Sequence, residues 1–228
     1  MKITKVEVRA VAPPVDRFTW SDDLPDQYST NTLVRIYTDA GVEGIAGVWN
    51  ATSYDFERYT AESIRHLAPI LVGKDPLLRE NIWHEIRPRV FPLPPQSLAA
   101  IDIALWDLAG KTANLPLYKL LGGARHKIPA YASTPLFDDV DAYLQNAEEF
   151  IAQGFKAIKF HTWCIPQNDL ELARAVRAKY PGDEVAFMLD AENNYDRDGA
   201  LRVAQELEAM GFTWFEAPLH DADLDGYR

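Results

Sequence analysis

Residues 185–219 read VAFMLDAENNYDRDGALRVAQELEAMGFTWFEAPL, and two short apolar runs in this stretch each stop on a carboxylate. VAFML runs into Asp190, and TWF runs into Glu216 ahead of Ala217 and Pro218. Runs this short and this continuously apolar fit parallel strands covered on both faces, each with an acid at its C-terminal tip. In a barrel of β/α units that tip is the face where ligands bind. The two acids lie 26 residues apart, about the length of one unit, so they are expected on neighbouring strands, converging as the holding of a divalent cation requires.

The same rhythm extends upstream to Ile128. Apolar runs at 128–133 and 156–161 alternate with helical stretches at 138–153, 168–180 and 197–210. Short connections between alternating strands and helices imply right-handed βαβ units and a parallel sheet. Four strand–helix beginnings fit, whereas a closed barrel needs about eight, so these residues are expected to be the N-terminal portion of a longer protein, or of one whose remainder exists as another chain. The run KAIKFH places Lys159 and His161 on one strand face. Beside a cation site both are expected to have depressed pKa values, which makes either a plausible base.

Before about residue 126 the pattern differs. Residues 3–12 alternate apolar and polar, and 32–49 repeat this around Asp39-Ala40-Gly41, as antiparallel strands do. Helical periodicity follows at 54–71, 76–86 and 96–112. The fold class expected is an α+β domain over residues 1–126, then an incomplete (β/α) barrel over 127–228. The polar, aromatic segment from Arg17 to Asn31 is too long for a simple hairpin connection, and loops of that length often cover binding sites.

Composition narrows the function. With 47% hydrophobic residues, a formal charge of -11 and a pI of about 4.9, the chain suits a globular protein and offers no basic stripe for nucleic acid. No stretch reaches the roughly 18 apolar residues that span a bilayer, and the first residues lack a signal-peptide layout; the expectation is a cytoplasmic protein without membrane partners. A single cysteine, Cys164, excludes an intrachain disulfide and a cysteine-based zinc cluster.

The segment AIDIALWDLAGKTANLPLYKLLGGARHKIPAYAS, from Ala100 to Ser133, resembles the domain junction of the enolase superfamily in its mandelate racemase and muconate lactonizing branch. The likeness extends over essentially the whole chain. GVEGIAGVW resembles that family's N-terminal capping domain, and GFKAIKFH its second barrel strand, which usually carries Lys-x-Lys. MLDAENNYD and WFEAPL resemble the strands bearing its first two metal-binding acids. The resemblance implies that Asp190 and Glu216 hold Mg2+, that Lys159 is the first lysine of the pair, near the substrate carboxylate, and that His161 takes the place of the second, usually the base. His161 departs from the common lysine, so which of the two takes the proton stays open, with His161 as base the preferred assignment. Glu192 stands where the family often has Asn; it is expected to bind a hydroxyl or a second cation, or to turn into solvent. Within the long segment Trp20 and Tyr28 are expected to close over a substrate, and Asp22 and Asp23 to bind its hydroxyls.

A proton α to a carboxylate is too weakly acidic to be removed unaided, because its loss creates an enediolate with two negative oxygens. Mg2+ and a neighbouring lysine stabilise charge that appears only as the transition state forms. The activity expected is dehydration of a sugar acid, with racemisation, epimerisation or cycloisomerisation as the alternative. A third acid is expected about 26 residues beyond Glu216; with two carboxylates alone Mg2+ should bind weakly and these residues by themselves should be inactive. That leaves a third reading, a catalytically silent fragment or assembly module. By the same resemblance the partners are a small carboxylate substrate and further copies of the chain.

Overall fold

The computed structural model describes residues 1–11, 28–52, 54–91 and 93–228, with side chains described except at 28–30, 50–52 and 54–58. The chain divides into two compact units, with the boundary between His126 and Lys127.

In the first unit, β1 (Ile3–Val11), β2 (Tyr28–Thr38) and β3 (Glu43–Thr52) form an antiparallel sheet in that order. Alternation decides its faces. Val34, Ile36, Ala46 and Val48 are buried against Ile64, Leu67 and Leu71 of α1 (Tyr54–Leu71) and against Ile101, Leu105 and Leu108 of α3 (Pro95–Thr112). Between these helices lies α2 (Arg79–Ile86), and α4 (Leu117–Leu120) follows α3. Gly44 is required where β3 meets α3, because a Cβ there would lie 2.1 Å from the Ala104 carbonyl oxygen. Asp107, one turn further along α3, accepts a hydrogen bond from the Ile45 N–H at 2.8 Å and fixes that approach. β2 begins earlier than the sequence pattern indicated: Tyr28 to Asn31, read as loop, pair with Thr52 to Trp49 of β3.

In the second unit, β4 (Ala132–Ser133), β5 (Ala157–His161), β6 (Ala186–Asp190) and β7 (Trp214–Glu216) form a parallel sheet in sequential order. The connections are α5 (Val140–Ala152), α6 (Pro166–Lys179) and α7 (Arg197–Ala209). These are four strands of a β/α barrel. The Asp139 carboxylate accepts from the Ala142 N–H at 2.8 Å and Asp196 from the Gly199 N–H at 2.7 Å, so α5 and α7 each start on an aspartate N-cap. Ile158, Phe160 and Phe187 face outward into a core with Tyr143, Leu172 and Val176. Period-two alternation then turns Lys159, His161, Asp190 and Glu216 to the opposite face. The run at 128–133 yields only a two-residue strand, because Ala132 and Ser133 alone meet a partner, on β5, and Ile128 is left exposed.

Candidate active site

Register does the assembling. His161 pairs with Asp190 and Asp190 with Glu216, so three strand tips line up in one row across the sheet. Lys159, one inward position below His161, reaches up between the acids. Its Nζ lies 2.6 Å from Asp190 Oδ2 and 3.0 Å from Glu216 Oε1. The ammonium therefore marks the point on which both carboxylates converge. Two hard oxygen donors on adjacent rigid strands, meeting on one positive charge, are a set that suits Mg2+, which keeps waters in its remaining positions.

His161 is held from both sides. Its Nδ1 lies 2.8 Å from the Thr134 carbonyl oxygen and 3.3 Å from Ser133 Oγ. A carbonyl only accepts, so Nδ1 carries a hydrogen, and Nε2 is the nitrogen turned into the site, 3.3 Å from Asp190 Oδ2 and 3.2 Å from Glu192 Oε1. The strand beneath is fixed as well: Tyr143 Oη donates to the His161 carbonyl at 2.6 Å, and the His161 N–H donates to Thr134 Oγ1 at 3.1 Å. Thr134, Ser133 and Tyr143 were not singled out by sequence. The rule that strand tips face the site could have indicated the first two, since they end the first parallel strand.

Neighbouring anions set the electrostatics of the two bases. Lys159 and His161 were expected to have depressed pKa values. Burial does oppose the Lys159 ammonium, but hydrogen bonds to Asp190 and Glu216 outweigh it and its pKa is raised. Burial likewise opposes the imidazolium, yet Asp190, Glu192 and the Thr134 carbonyl carry His161 up to about 9. In turn burial would raise Asp190, but His161, Lys159 and the Glu192 N–H hold it down at about 2. The expectation was for bases beside a cation; these raised values are the ones the neighbouring anions set.

Glu192 enters the site by a route other than the one expected. The strand does not stay extended past Asp190, since Glu192 and Asn193 have φ of 48° and 64°. Even so, the turn returns the Glu192 carboxylate to His161, and His161, Asp190 and Glu192 form a group whose ligand atoms lie within 4.8 Å of one another. Asn194 bonds the Ala191 and Glu192 carbonyls, as a loop residue does. Four of the five non-glycine residues with positive φ among those described, Cys164, Glu192, Asn193 and Ala217, follow these strand tips, where backbone strain commonly accumulates at functional sites. Trp20, Asp22 and Asp23 lie outside the described residues, as does the side chain of Tyr28.

Comparison with known proteins shows the family. Residues 5–122 match the N-terminal domain of mandelate racemase / muconate lactonizing enzyme, and residues 142–228 match the enolase C-terminal domain-like family. An arabinonate dehydratase of Saccharolobus solfataricus is 30% identical over 80% of this chain and 52% of its own length. A crystal structure of a mandelate racemase/muconate lactonizing enzyme-like protein from Pseudovibrio sp. superposes with a TM-score of 0.95 at 38% identity, covering 99% of this chain and 61% of that one. L-talarate dehydratase of Polaromonas sp., crystallised with Mg and L-glucarate, superposes with a TM-score of 0.88 at 28% identity, over 99% of this chain and 64% of that one. Other relatives are named as cycloisomerases and epimerases. The chain thus spans about half to two thirds the length of these relatives. A capping α+β unit followed by parallel strands with acids at their tips defines the enolase superfamily architecture. Within it, the chain belongs to the mandelate racemase / muconate lactonizing enzyme family. Among the described residues no helix is long and apolar enough to cross a membrane.

Proposed function

We propose that this chain carries the metal and base residues of an enzyme that removes the proton α to the carboxylate of a sugar acid and then expels the β-hydroxyl. The observation that carries the reading is the convergence of Asp190 Oδ2 and Glu216 Oε1 on Lys159 Nζ, at 2.6 and 3.0 Å, with His161 Nε2 at 3.3 Å from the same Asp190 oxygen. Asp190 and Glu216 would hold Mg2+. When bound, the ion supplies positive charge against the two oxygens of the enediolate and draws on the same carboxylates that otherwise hold the ammonium and imidazolium.

The remaining work belongs to the side chains. His161, with Nδ1–H tied to Thr134, presents Nε2 and accepts the α-proton once that nitrogen is deprotonated. Lys159 keeps its charge beside the developing enediolate and stabilises it. Glu192 accepts a hydrogen bond from a substrate hydroxyl, which favours a polyol chain over an apolar one. Trp20, Asp22, Asp23 and Tyr28 belong to the same proposal as residues that close over that chain. The arabinonate and L-talarate dehydratases among the relatives support dehydration, and the relatives named as cycloisomerases support the alternative.

Exchange of the α-proton for deuterium, followed by NMR over a panel of aldonic and aldaric acids with Mg2+, tests the assignment. His161→Asn is expected to abolish exchange. Lys159→Met is expected to slow it by about two orders of magnitude, as loss of a charge-stabilising donor typically does. Unchanged exchange in both variants would falsify the base assignment. Formation of a 2-keto-3-deoxy acid with loss of water identifies dehydration; exchange with retained hydroxyls identifies the racemase or epimerase alternative, and ring opening or closure without loss of water the cycloisomerase.

A further inference from the structure

The two carboxylates at the strand tips are held unequally. Asp190 is 4% exposed at its side chain and receives Lys159 Nζ, His161 Nε2 and the Glu192 N–H, the last at 3.1 Å. Glu216 has a longer side chain and takes its place by other means. Its Oε1 faces Lys159 at 3.0 Å, and its Oε2 accepts a hydrogen bond from Trp214 Nε1 at 3.2 Å. Trp214 and Glu216 are two apart on β7 and share a face. The indole is itself braced, its ring edge-on to Tyr131 with centroids 5.4 Å apart and planes at 80°, and the Lys159 ammonium stands 5.9 Å from the Tyr131 ring centroid.

We infer that Trp214 is a positioning residue: its indole N–H fixes Glu216 so that Oε1, and not Oε2, faces the cation site, with Tyr131 as the buttress that keeps the indole in place. The inference rests on the proposed role of Glu216 as a metal ligand. The physical reason is conformational. A glutamate side chain has three rotatable bonds, and ordering them at the moment of metal binding costs free energy that a preformed hydrogen bond has already met. A cation that draws on Oε1 competes with the Lys159 ammonium, and Trp214 remains on the other oxygen to hold the orientation. Asp190 needs no such partner because its short side chain is buried and has three donors.

Mn2+ titration of the intact protein followed by electron paramagnetic resonance measures affinity without any need for turnover. Trp214→Phe keeps the ring and removes the donor; it is expected to weaken Mn2+ by about tenfold, the scale of lost outer-shell hydrogen bonds at metal sites. In a Glu216→Gln background the same substitution is expected to change affinity by less than about twofold, because its effect passes through the carboxylate. The Trp214 indole 1H–15N resonance gives a second readout, expected to move upfield in Glu216→Gln without metal. Normal affinity in Trp214→Phe, or a tenfold loss that persists in the Glu216→Gln background, overturns the positioning role and leaves the metal site standing. Normal affinity in Glu216→Gln, or no Mn2+ binding by the parent protein, overturns the metal-ligand reading itself. An indole resonance unmoved in Glu216→Gln overturns the hydrogen bond on which the positioning role depends.

Discussion

Both units carry ion pairs on a β-sheet, and the pairs behave differently because only one set is out of water. On β1 the Glu7 carboxylate meets Lys5, Arg9 and the Tyr37 hydroxyl, with the lysine and arginine side chains 65% and 72% exposed. On β5 and β6 Lys159 and Asp190 are 7% and 4% exposed. Water and salt screen the cations of the first cluster, so its ion pairs hold little free energy even though the Tyr37 hydroxyl and Arg9 lower the Glu7 pKa. The second cluster has lost its hydration and depends on its partners, so each charge fixes the next and pKa values move. The lesson concerns environment: like side chains make a solvated face in one sheet and a buried, mutually dependent cluster in the other.

That contrast can be broken in graded steps. The largest effect is expected from Asp190→Ala, which leaves a buried ammonium without its nearest partner and should lower unfolding free energy by about 3–5 kcal/mol, measured by urea denaturation. Adding Lys159→Met should recover part of that loss, since the unpaired charge is then gone; no recovery would show that lost packing rather than lost charge is responsible.

Next comes Asp169 on α6, fully buried and accepting a hydrogen bond from Tyr195 Oη. Burial raises its pKa from 3.8 to about 6. The native state therefore binds a proton that the unfolded chain has released, and the associated stability is complete below pH 3.8 and disappears as pH rises through about 6. Asp169→Asn is expected to gain about 3 kcal/mol relative to the parent between pH 4 and pH 8. Parallel pH–stability curves for the two proteins would refute the burial argument.

A smaller effect, about 1 kcal/mol, is expected for Tyr143→Phe, which removes one hydrogen bond to the His161 carbonyl without opening a cavity. Glu7→Gln closes the series with no resolvable change in the denaturation midpoint. A loss there comparable to that of Asp190→Ala would mean that burial is not what separates the two sheets.

Much of this was legible in the chain. The helices at 54–71 and 96–112 stood out through their apolar spacing, and observed α1 and α3 span Tyr54–Leu71 and Pro95–Thr112. The parallel strands ending at Asp190 and Glu216 were readable because a strand covered on both faces is short and almost wholly apolar until its tip. The two-residue β4 was not, because Ile128 and Tyr131 are as apolar as strand residues and only a pairing partner decides the matter. Nor was the start of β2 at Tyr28, where a polar run joins the sheet through backbone bonds to which side-chain polarity is blind. At the site, residue types gave Lys159, His161, Asp190 and Glu216. The backbone carbonyl of Thr134, which orients the imidazole, leaves no signature in the alphabet of side chains.

What the sequence determined by itself was the alternation of strands and helices, the alignment of acids with strand ends and the family those motifs indicate. Periodicity and spacing are local properties and survive in one dimension. What tertiary structure decided was the approach of Asp190, Glu192 and Glu216 to Lys159 and His161, the return of Glu192 through a left-handed turn, and the pairing of Trp214 with Glu216. Electrostatic free energy depends on distance and burial among residues from different strands, and those are set only when the sheet comes into register.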